Sequence, residues 1–330
     1  MSEPRTIAVT GSTGFVGRQI VRELVSRGHT VRVLARDLAK AREVLPMGSG
    51  LVQIVEGGAL DDASLDALCA KADVAMNLVG IIREGRNGQT FERMHVKATE
   101  ALLAAATRNH VPRYVQMSAL GVSPTSRAPY QRTKFEGERL VRHSSLEWTI
   151  MRPALILGEG AEFVSMAIDW AKGEQAPWIF MPYFTRMEFD QRVPLGAVKF
   201  IDPIVQPVAV EDVAIAFAAC LDKPESIGEI YQLVGPDRVP WPTMLRWIRD
   251  TYAHGGNEPW GVPGVVGAAV ASAADLFGMR YVLPFDAGMA LMGSDDAVGE
   301  LVKVREHLGI VPRSVLTPAP TNAQEHAAAH

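Results

Sequence analysis

The chain has 330 residues, a formal net charge of −4, 48% hydrophobic and 21% charged residues, and two cysteines. That composition supplies ample core material, and neither the mild acidity nor any basic block offers a surface for nucleic acid, so no such partner is expected. Cys69 and Cys220 stand far apart in no ligand spacing, no leader pattern opens the chain, and no run of 18 apolar residues reads as a membrane span, so a disulfide framework and a metal site are set aside and a reducing, cytoplasmic compartment is expected.

The run "TIAVT" (6–10) is β-branched and apolar and reads as a buried strand. "FVGRQIVRELVSR" (15–27) places Val16, Ile20, Leu24 and Val25 at helical spacing, with Gly28 to close the helix. "HTVRVLAR" is a second strand. Between the first strand and the helix stand Gly11, Gly14 and Gly17, spaced G-x-x-G-x-x-G. Glycine there permits a tight turn, a close approach of backbone to a pyrophosphate and close packing of helix on strand, with the phosphates at the helix N-terminus. Strand, glycine turn, helix and strand make the first βαβ unit of a dinucleotide-binding fold. Nineteen residues past Gly17, where an NAD site carries an acid for the ribose hydroxyl, stands Arg36. A guanidinium suits a 2′-phosphate, so NADP(H) is favoured over NAD(H). Otherwise Arg36 is a solvated surface residue. Asp37 follows, and reads equally well as the cap of the helix "LAKAREVL".

The alternation continues. "LVQIV" (51–55) is a strand, "DDASLDALCAKA" (61–72) a helix, "DVAMNLVG" (73–80) a strand and "QTFERMHVKATEALLAAATRN" (89–109) one long helix. "RYVQMSALG" (113–121) is a strand, "YQRTKFEGERLVRHS" (130–144) a helix and "EWTIMRP" (147–153) a sixth strand. Repeated βα units predict an α/β fold with a doubly wound parallel sheet. Ligands bind such sheets at the carboxyl ends of the strands, where "GSTG", "NLVGI", "MSALG" and "RPALI" all fall. Tyr130 and Lys134, four apart, share a helix face, and a lysine cation beside a phenol favours phenolate, so the Tyr130 pKa is expected to be lowered.

"TGSTGFVG", "NLVG", Ser118 and "YQRTK", which begins twelve residues after that serine, resemble the short-chain dehydrogenase/reductase superfamily. "NLVGIIRE", "QTFERMHV", "YQRTKFEGERLV" and "TIMRPALILG" are similar to its atypical branch, which holds the nucleotide-binding accessory subunit of respiratory complex I, its bacterial relatives and NmrA-like proteins. The resemblance covers residues 5–235 well and the remainder loosely, chiefly through "YVLPFDAGMALM". It implies that Tyr130 is the acid/base, that Lys134 anchors the ribose and tunes the tyrosine, and that Ser118 positions a substrate oxygen. It implies cofactor contacts at Gly11, Thr13, Gly14, Phe15, Val16, Gly17, Arg36, Leu60, Val79, Gly80, Tyr130, Lys134, Pro153, Ala154 and Ile156. Two positions depart from the pattern. His95 stands where many members carry an active-site asparagine, and otherwise reads as a helix residue bonded to neighbouring backbone. In "EGGALDD", Ala59 replaces an aspartate, which leaves backbone near Leu60 as the adenine contact.

Residues 1–155 are expected to form the NADP-binding domain and 156–330 a smaller, mainly helical lobe, with 205–235 returning to the nucleotide core. Within the lobe, 160–174, 242–253 and 295–310 read as helices, 229–236 as a strand, and 176–200 as an irregular, aromatic, proline-broken wall or core. The stretch 262–283 is small and apolar, interrupted by Pro263, Asp275 and Arg280, and puts Val266, Val270, Ala273, Ala274 and Phe277 on one face. Its opposite face has few polar groups, which argues for internal packing rather than docking to a partner or a membrane. Three functions follow from these readings. One is an oxidoreductase acting on a carbonyl or hydroxyl substrate, quinone- and isoprenoid-related compounds and sugar nucleotides among the classes implied. Another is a non-catalytic nucleotide-binding subunit of a respiratory assembly, peripheral at the inner face of a membrane. The third is an NmrA-like redox sensor.

Overall fold

In the computed structural model, which describes residues 3–85, 88–189, 198–279 and 282–316, the apolar runs of the N-terminal half become strands of one parallel sheet. Arg280, Tyr281, residues 190–197 and the tail from 317 lie outside the described residues. The chain divides into two units, the first comprising Met1–Ile156, Val210–Val234 and Gly299–Val311. Its strands are β1 (Thr6–Thr10), β2 (Thr30–Ala35), β3 (Val52–Glu56), β4 (Val74–Asn77), β5 (Arg113–Met117), β6 (Glu147–Pro153) and β7 (Glu229–Leu233). They lie in the order β7-β6-β5-β4-β1-β2-β3, and every pairing is parallel. The order reverses between β1 and β4, so the crevice beyond their carboxyl ends is where a doubly wound sheet takes its ligand.

Helices α1 (Phe15–Ser26), α2 (Leu38–Val44), α3 (Asp62–Cys69), α4 (Ala98–Arg108), α5 (Pro129–Arg142), α6 (Val210–Ala219) and α7 (Val302–Leu308) accompany the sheet. Helix α1 buries Val16, Ile20 and Leu24, and ends at Gly28, whose φ of +84° lets its N–H reach Val25 and that of His29 reach Leu24. Leu65, Leu68, Leu102, Tyr114, Val141 and Ile150 form a core between sheet and helices. At the far edge α7 clamps β7: His307 Nδ1 lies 3.0 Å from the buried Tyr231 hydroxyl and Lys303 pairs with Glu229. Nothing in the sequence marks Gly299–Val311 as part of this unit.

The expected single helix over 89–109 is instead a wide π-helical turn, Glu92–Lys97, running into α4. Thr99 donates to the His95 carbonyl at 2.7 Å, diverting it from the regular ladder. The expected helix over 295–310 shortens to Val302–Leu308, because Gly299 and Glu300 run beside Gln232, whose side-chain oxygen accepts the Glu300 N–H at 2.8 Å.

The second unit comprises Leu157–Ala209, Gly235–Val298 and Pro312–His330. It is rich in helix, with Glu162–Lys172, Trp241–Ile248 and Gly264–Leu276 the longest, and also holds a small sheet. The stretch expected to be irregular forms the strand Met181–Phe189, antiparallel to Val198–Ile201 and parallel to Pro259–Pro263. Its aromatic and β-branched residues suit a pleated surface, and Pro182 stands near the strand's start, where proline is tolerated. The helix Gly264–Leu276 reverses the expected burial. Gly264, Gly267, Ala268 and Ala271 face inward, while Val266, Val270 and Phe277 are 47%, 50% and 75% exposed. A Cβ on Gly267 would lie 2.5 Å from the Phe184 ring, so the small residues set the contact and the larger ones are left outside. Among the described residues no helix is long and apolar enough to cross a membrane.

Candidate functional site

The three glycines of the first turn serve three different ends. Gly11 has φ +73°, and a Cβ there would come within 2.7 Å of the Leu78 carbonyl carbon, so only glycine lets the ends of β1 and β4 meet. A Cβ on Gly17 would lie 2.2 Å from the Gly11 carbonyl oxygen, so this residue lets α1 settle onto the turn. Gly14 has an ordinary φ of −74°, and a Cβ there would meet nothing nearer than 3.4 Å. The fold does not require glycine at 14. It leaves the N-terminus of α1 bare, with no side-chain cap and no acid in the first turn. Thr13 and Phe15 are half-buried beside it, Val16 is buried, and the fully buried Ser12 hydroxyl has no hydrogen-bond partner among the described residues.

Beyond β4 the chain is held by Asn77. Its side-chain oxygen accepts from the Thr10 hydroxyl at 2.9 Å and the Val79 N–H at 3.2 Å, and its amide donates to Thr99 at 3.0 Å and Gln116 at 3.2 Å. Every bond this buried amide can make is thereby made, which fixes the Leu78–Gly80 turn against the glycine turn. Sequence reading did not single out Asn77. An asparagine closing an otherwise apolar strand was the available signal.

Tyr130, Lys134 and His95 come together on the far side of that turn. Lys134 donates to the carbonyls of Val79 at 3.4 Å and Met117 at 3.3 Å, and a Cβ on Gly80 would lie 2.8 Å from its ammonium. Tyr130, half-buried, meets the His95 ring edge-on at 5.3 Å and the Phe91 ring at 5.9 Å. His95 Nδ1 lies 2.9 Å from the Thr133 hydroxyl, and Nε2 lies 3.2 Å from the Ile81 nitrogen and 3.1 Å from its carbonyl oxygen. His95 is therefore the backbone-bonded residue of the plainer expectation, tying the wide turn to Ile81 and to α5. Burial and the Lys134 cation push its pKa down to about 2, so the imidazole stays neutral.

The expected lowering of the Tyr130 pKa does not occur. Burial pushes the phenol up to about 12, while the Lys134 ammonium is directed at backbone carbonyls. Lys134 itself is pushed down to about 8 by burial, with Glu138 acting in the opposite direction. Ser118 lies one residue past the Met117 carbonyl that Lys134 holds, and its buried hydroxyl has no hydrogen-bond partner among the described residues. The Ser118 N–H donates to Met151, and Leu120 to Pro153, so the turn after β5 is stitched to the end of β6. Ala154 is bonded in turn to Leu233, and Ile156 follows, half-buried.

The outer residues of the predicted set stand apart from this cluster. Arg36 is exposed just past β2, with no side-chain partner among the described residues. Asp37 is occupied as the cap of α2, accepting the Lys40 N–H at 3.0 Å. Leu60 is exposed beyond β3, on a loop that begins where the Gly57 N–H bonds Ala35. Sequence reading also missed a buried ion pair. Arg152 grips the fully buried Glu138 with two bonds, 2.8 and 2.6 Å long.

Comparison with known proteins agrees with this geometry. Residues 11–168 match a family model described as NAD(P)H-binding. Over 232 residues the chain is 34% identical to the mitochondrial NADH dehydrogenase (ubiquinone) 1 alpha subcomplex subunit 9 of Arabidopsis thaliana, covering 69% of this chain and 53% of that protein. It is 34% identical over 155 residues to a ceramide reductase of Caulobacter vibrioides, 47% of each chain. The match thus spans about half the length of these curated relatives. An NADPH-dependent quinone oxidoreductase of Escherichia coli, solved with NADPH, shares the fold at a TM-score of 0.68 and 15% identity, covering 98% of this chain and 99% of that one. With the glycine turn at a sheet's switch point and these relatives beside it, the first unit has a Rossmann-type nucleotide-binding fold, residues 11–168 match the NAD(P)H-binding family model, and the chain resembles the atypical short-chain dehydrogenases/reductases.

Proposed function

We propose that the protein is an NADP(H)-dependent oxidoreductase that reduces a carbonyl group. The observation that carries this reading is the Ser118 hydroxyl, buried with no hydrogen-bond partner among the described residues and one residue from the carbonyl that Lys134 holds. A buried hydroxyl costs free energy unless something bonds it, and a substrate oxygen is the group that fits. The bare N-terminus of α1 and the open space at Gly14 would take the pyrophosphate, with Thr13, Phe15 and Val16 lining the turn. Val79, Gly80, Pro153, Ala154 and Ile156 would line the nicotinamide end and Leu60 the adenine. Lys134 would hold the ribose. When bound, the nicotinamide supplies the hydride. Tyr130, whose phenol burial pushes up to about 12, holds the proton that the reduced oxygen takes up.

Arg36 supports NADP(H) over NAD(H), since it is exposed and placed at the end of β2. A charge-assisted bond to the 2′-phosphate is worth about 1.5–3 kcal/mol, or roughly tenfold and more in affinity. Calorimetric titration with NADPH and NADH checks this. Equal affinities, or no loss of preference in Arg36→Ala, would refute it. A second reading is a nucleotide-binding subunit of a respiratory assembly, favoured by the 34% identity to a complex I subunit. The exposed Val266, Val270 and Phe277 would then face the assembly or its membrane. Co-purification with respiratory subunits at native expression separates the two.

A further inference from the structure

The second unit holds a cavity of about 170 Å³, lined only by its own residues, and every described side chain that lines it is apolar. Its back wall is Phe184, which shares a strand face with Pro182 and stands opposite Val262 in the parallel pair. Small residues seat that ring. A Cβ on Gly267 would lie 2.5 Å from it and one on Gly293 3.0 Å, and Phe285 meets it edge-on with centroids 4.9 Å apart. The remaining walls are held as firmly. The Ala176 carbonyl accepts from the Trp170 indole and the Trp178 carbonyl from the Asn257 amide, both at 2.8 Å, which fixes the lining residues Ala176 and Pro177. Pro284 and Phe285 run into the helix Ala287–Met292, whose cap Asp286 accepts the Met289 N–H at 2.8 Å. All the lining residues but Pro182 are half-buried, so this preformed cavity opens to solvent.

We propose that the cavity is a binding site for the end of a hydrocarbon chain, such as the acyl or alkyl chain of a lipid. A closed apolar void of about 150 Å³ stays dry and takes a benzene-sized guest, so this one has room for a short run of methylenes. A ligand pocket ordinarily carries a few polar groups that orient a head group, and this lining offers no such side chain. The rim continues the same chemistry. Trp178 and Ile179 follow Pro177, Val282 precedes Leu283, Trp260 shares a strand face with Val262, and all four are exposed. A protein interface has a polar rim round its apolar centre, whereas an apolar rim suits the stem of a chain longer than the cavity. The proposal stands apart from the nucleotide reading, since every residue it uses belongs to the second unit.

The probe is 12-bromododecanol, whose bromine quenches tryptophan at short range. It should quench the wild type saturably, at one chain per protein, with Trp178 and Trp260 as the nearby reporters. Dodecanol and dodecanoate should each reverse the quenching, with affinities within about threefold, because the lining has nothing to tell their head groups apart. Val262→Phe should fill the cavity and weaken the probe by about tenfold or more, the worth of two buried methylenes, without lowering the quenching ceiling. Should that variant fail to fold, Ala176→Leu narrows the same cavity from another segment and should do likewise. Unchanged affinity in whichever filled variant folds would mean adsorption to the exposed rim. Dodecanoate preferred beyond that margin would mean a head-group site. Sedimentation with phosphatidylcholine vesicles without saturable quenching would mean a membrane face. Each of these, or a wild type that the probe does not quench, would overturn the proposal.

Discussion

Replacing His95 with asparagine should change how stability depends on pH, by an amount the structure fixes. The folded protein holds this imidazole neutral, with its pKa near 2, whereas in the unfolded chain it titrates near 6.5. The unfolded state therefore takes up a proton below pH 6.5 that the folded state refuses, and stability falls as the pH falls, each unit below 6.5 costing about 1.4 kcal/mol. At pH 5 the loss from His95 alone is about 2 kcal/mol, and at pH 7.5 it is close to zero. Asparagine does not titrate. At pH 7.5 the variant should be the less stable protein, by about 1–2 kcal/mol, since it forfeits the bonds to Ile81 and Thr133. Urea unfolding of both proteins at pH 7.5, 6.5, 5.5 and 5.0 gives the difference at each pH. That difference should shrink by about 2 kcal/mol over the range, so that the two proteins are nearly equal at pH 5. His29, which burial also lowers, is present in both and cancels. Parallel stability profiles would refute the argument, because they would mean that His95 accepts its proton as readily folded as unfolded.

Gly17→Ala should lower stability by about 1–3 kcal/mol and NADPH affinity by at least tenfold, because the new methyl meets backbone at 2.2 Å. Gly14→Ala, with 3.4 Å of clearance, should stay within about 1 kcal/mol of wild type and still lose NADPH affinity; melting curves beside nucleotide titrations check both. Tyr130→Phe should abolish NADPH-dependent carbonyl reduction and leave NADPH affinity within about twofold, since the ring contacts with His95 and Phe91 survive loss of the hydroxyl. A variant that turns substrate over at the wild-type rate would remove Tyr130 from the chemistry.

The nucleotide half was legible because its signals are local. Strand, glycine turn and helix are written in consecutive residues, and period-2 or period-3.6 patterns locate the rest. Tyr130 and Lys134 were legible for the same reason, being one turn apart. What was hidden depends on partners distant in sequence. Asn77 draws on Thr10, Thr99 and Gln116, Arg152 reaches back to Glu138, and β7 is held by a helix some 70 residues further along. The same distance explains the error over Tyr130. Spacing places the lysine near the phenol, but the carbonyls that orient its ammonium come from β5 and from the turn after β4. In the second unit, prolines and aromatics masked the strand Met181–Phe189, whose partners lie at Val198–Ile201 and Pro259–Pro263. The inverted burial of Gly264–Leu276 turns on Gly267 meeting Phe184, a contact that no helical period encodes.

The π-helical turn at Glu92–Lys97 amounts to a gearing between two rigid parts. A regular α-helix advances 100° per residue, and one surplus residue in the turn offsets everything before it by that angle relative to α4. Phe91 lies ahead of the offset and stacks on His95, with ring centroids 5.4 Å apart, while both rings meet Tyr130. Closing the wide turn to α-helical spacing with all its residues kept would regularise the helix and restore its hydrogen-bond ladder. It would also swing Phe91 about 100° round the axis, out of the aromatic cluster. A redesign that scored only helical regularity would therefore improve the local backbone and dismantle the wall behind the tyrosine. The irregularity is how a chain with 3.6 residues per turn aims two aromatic rings at one point.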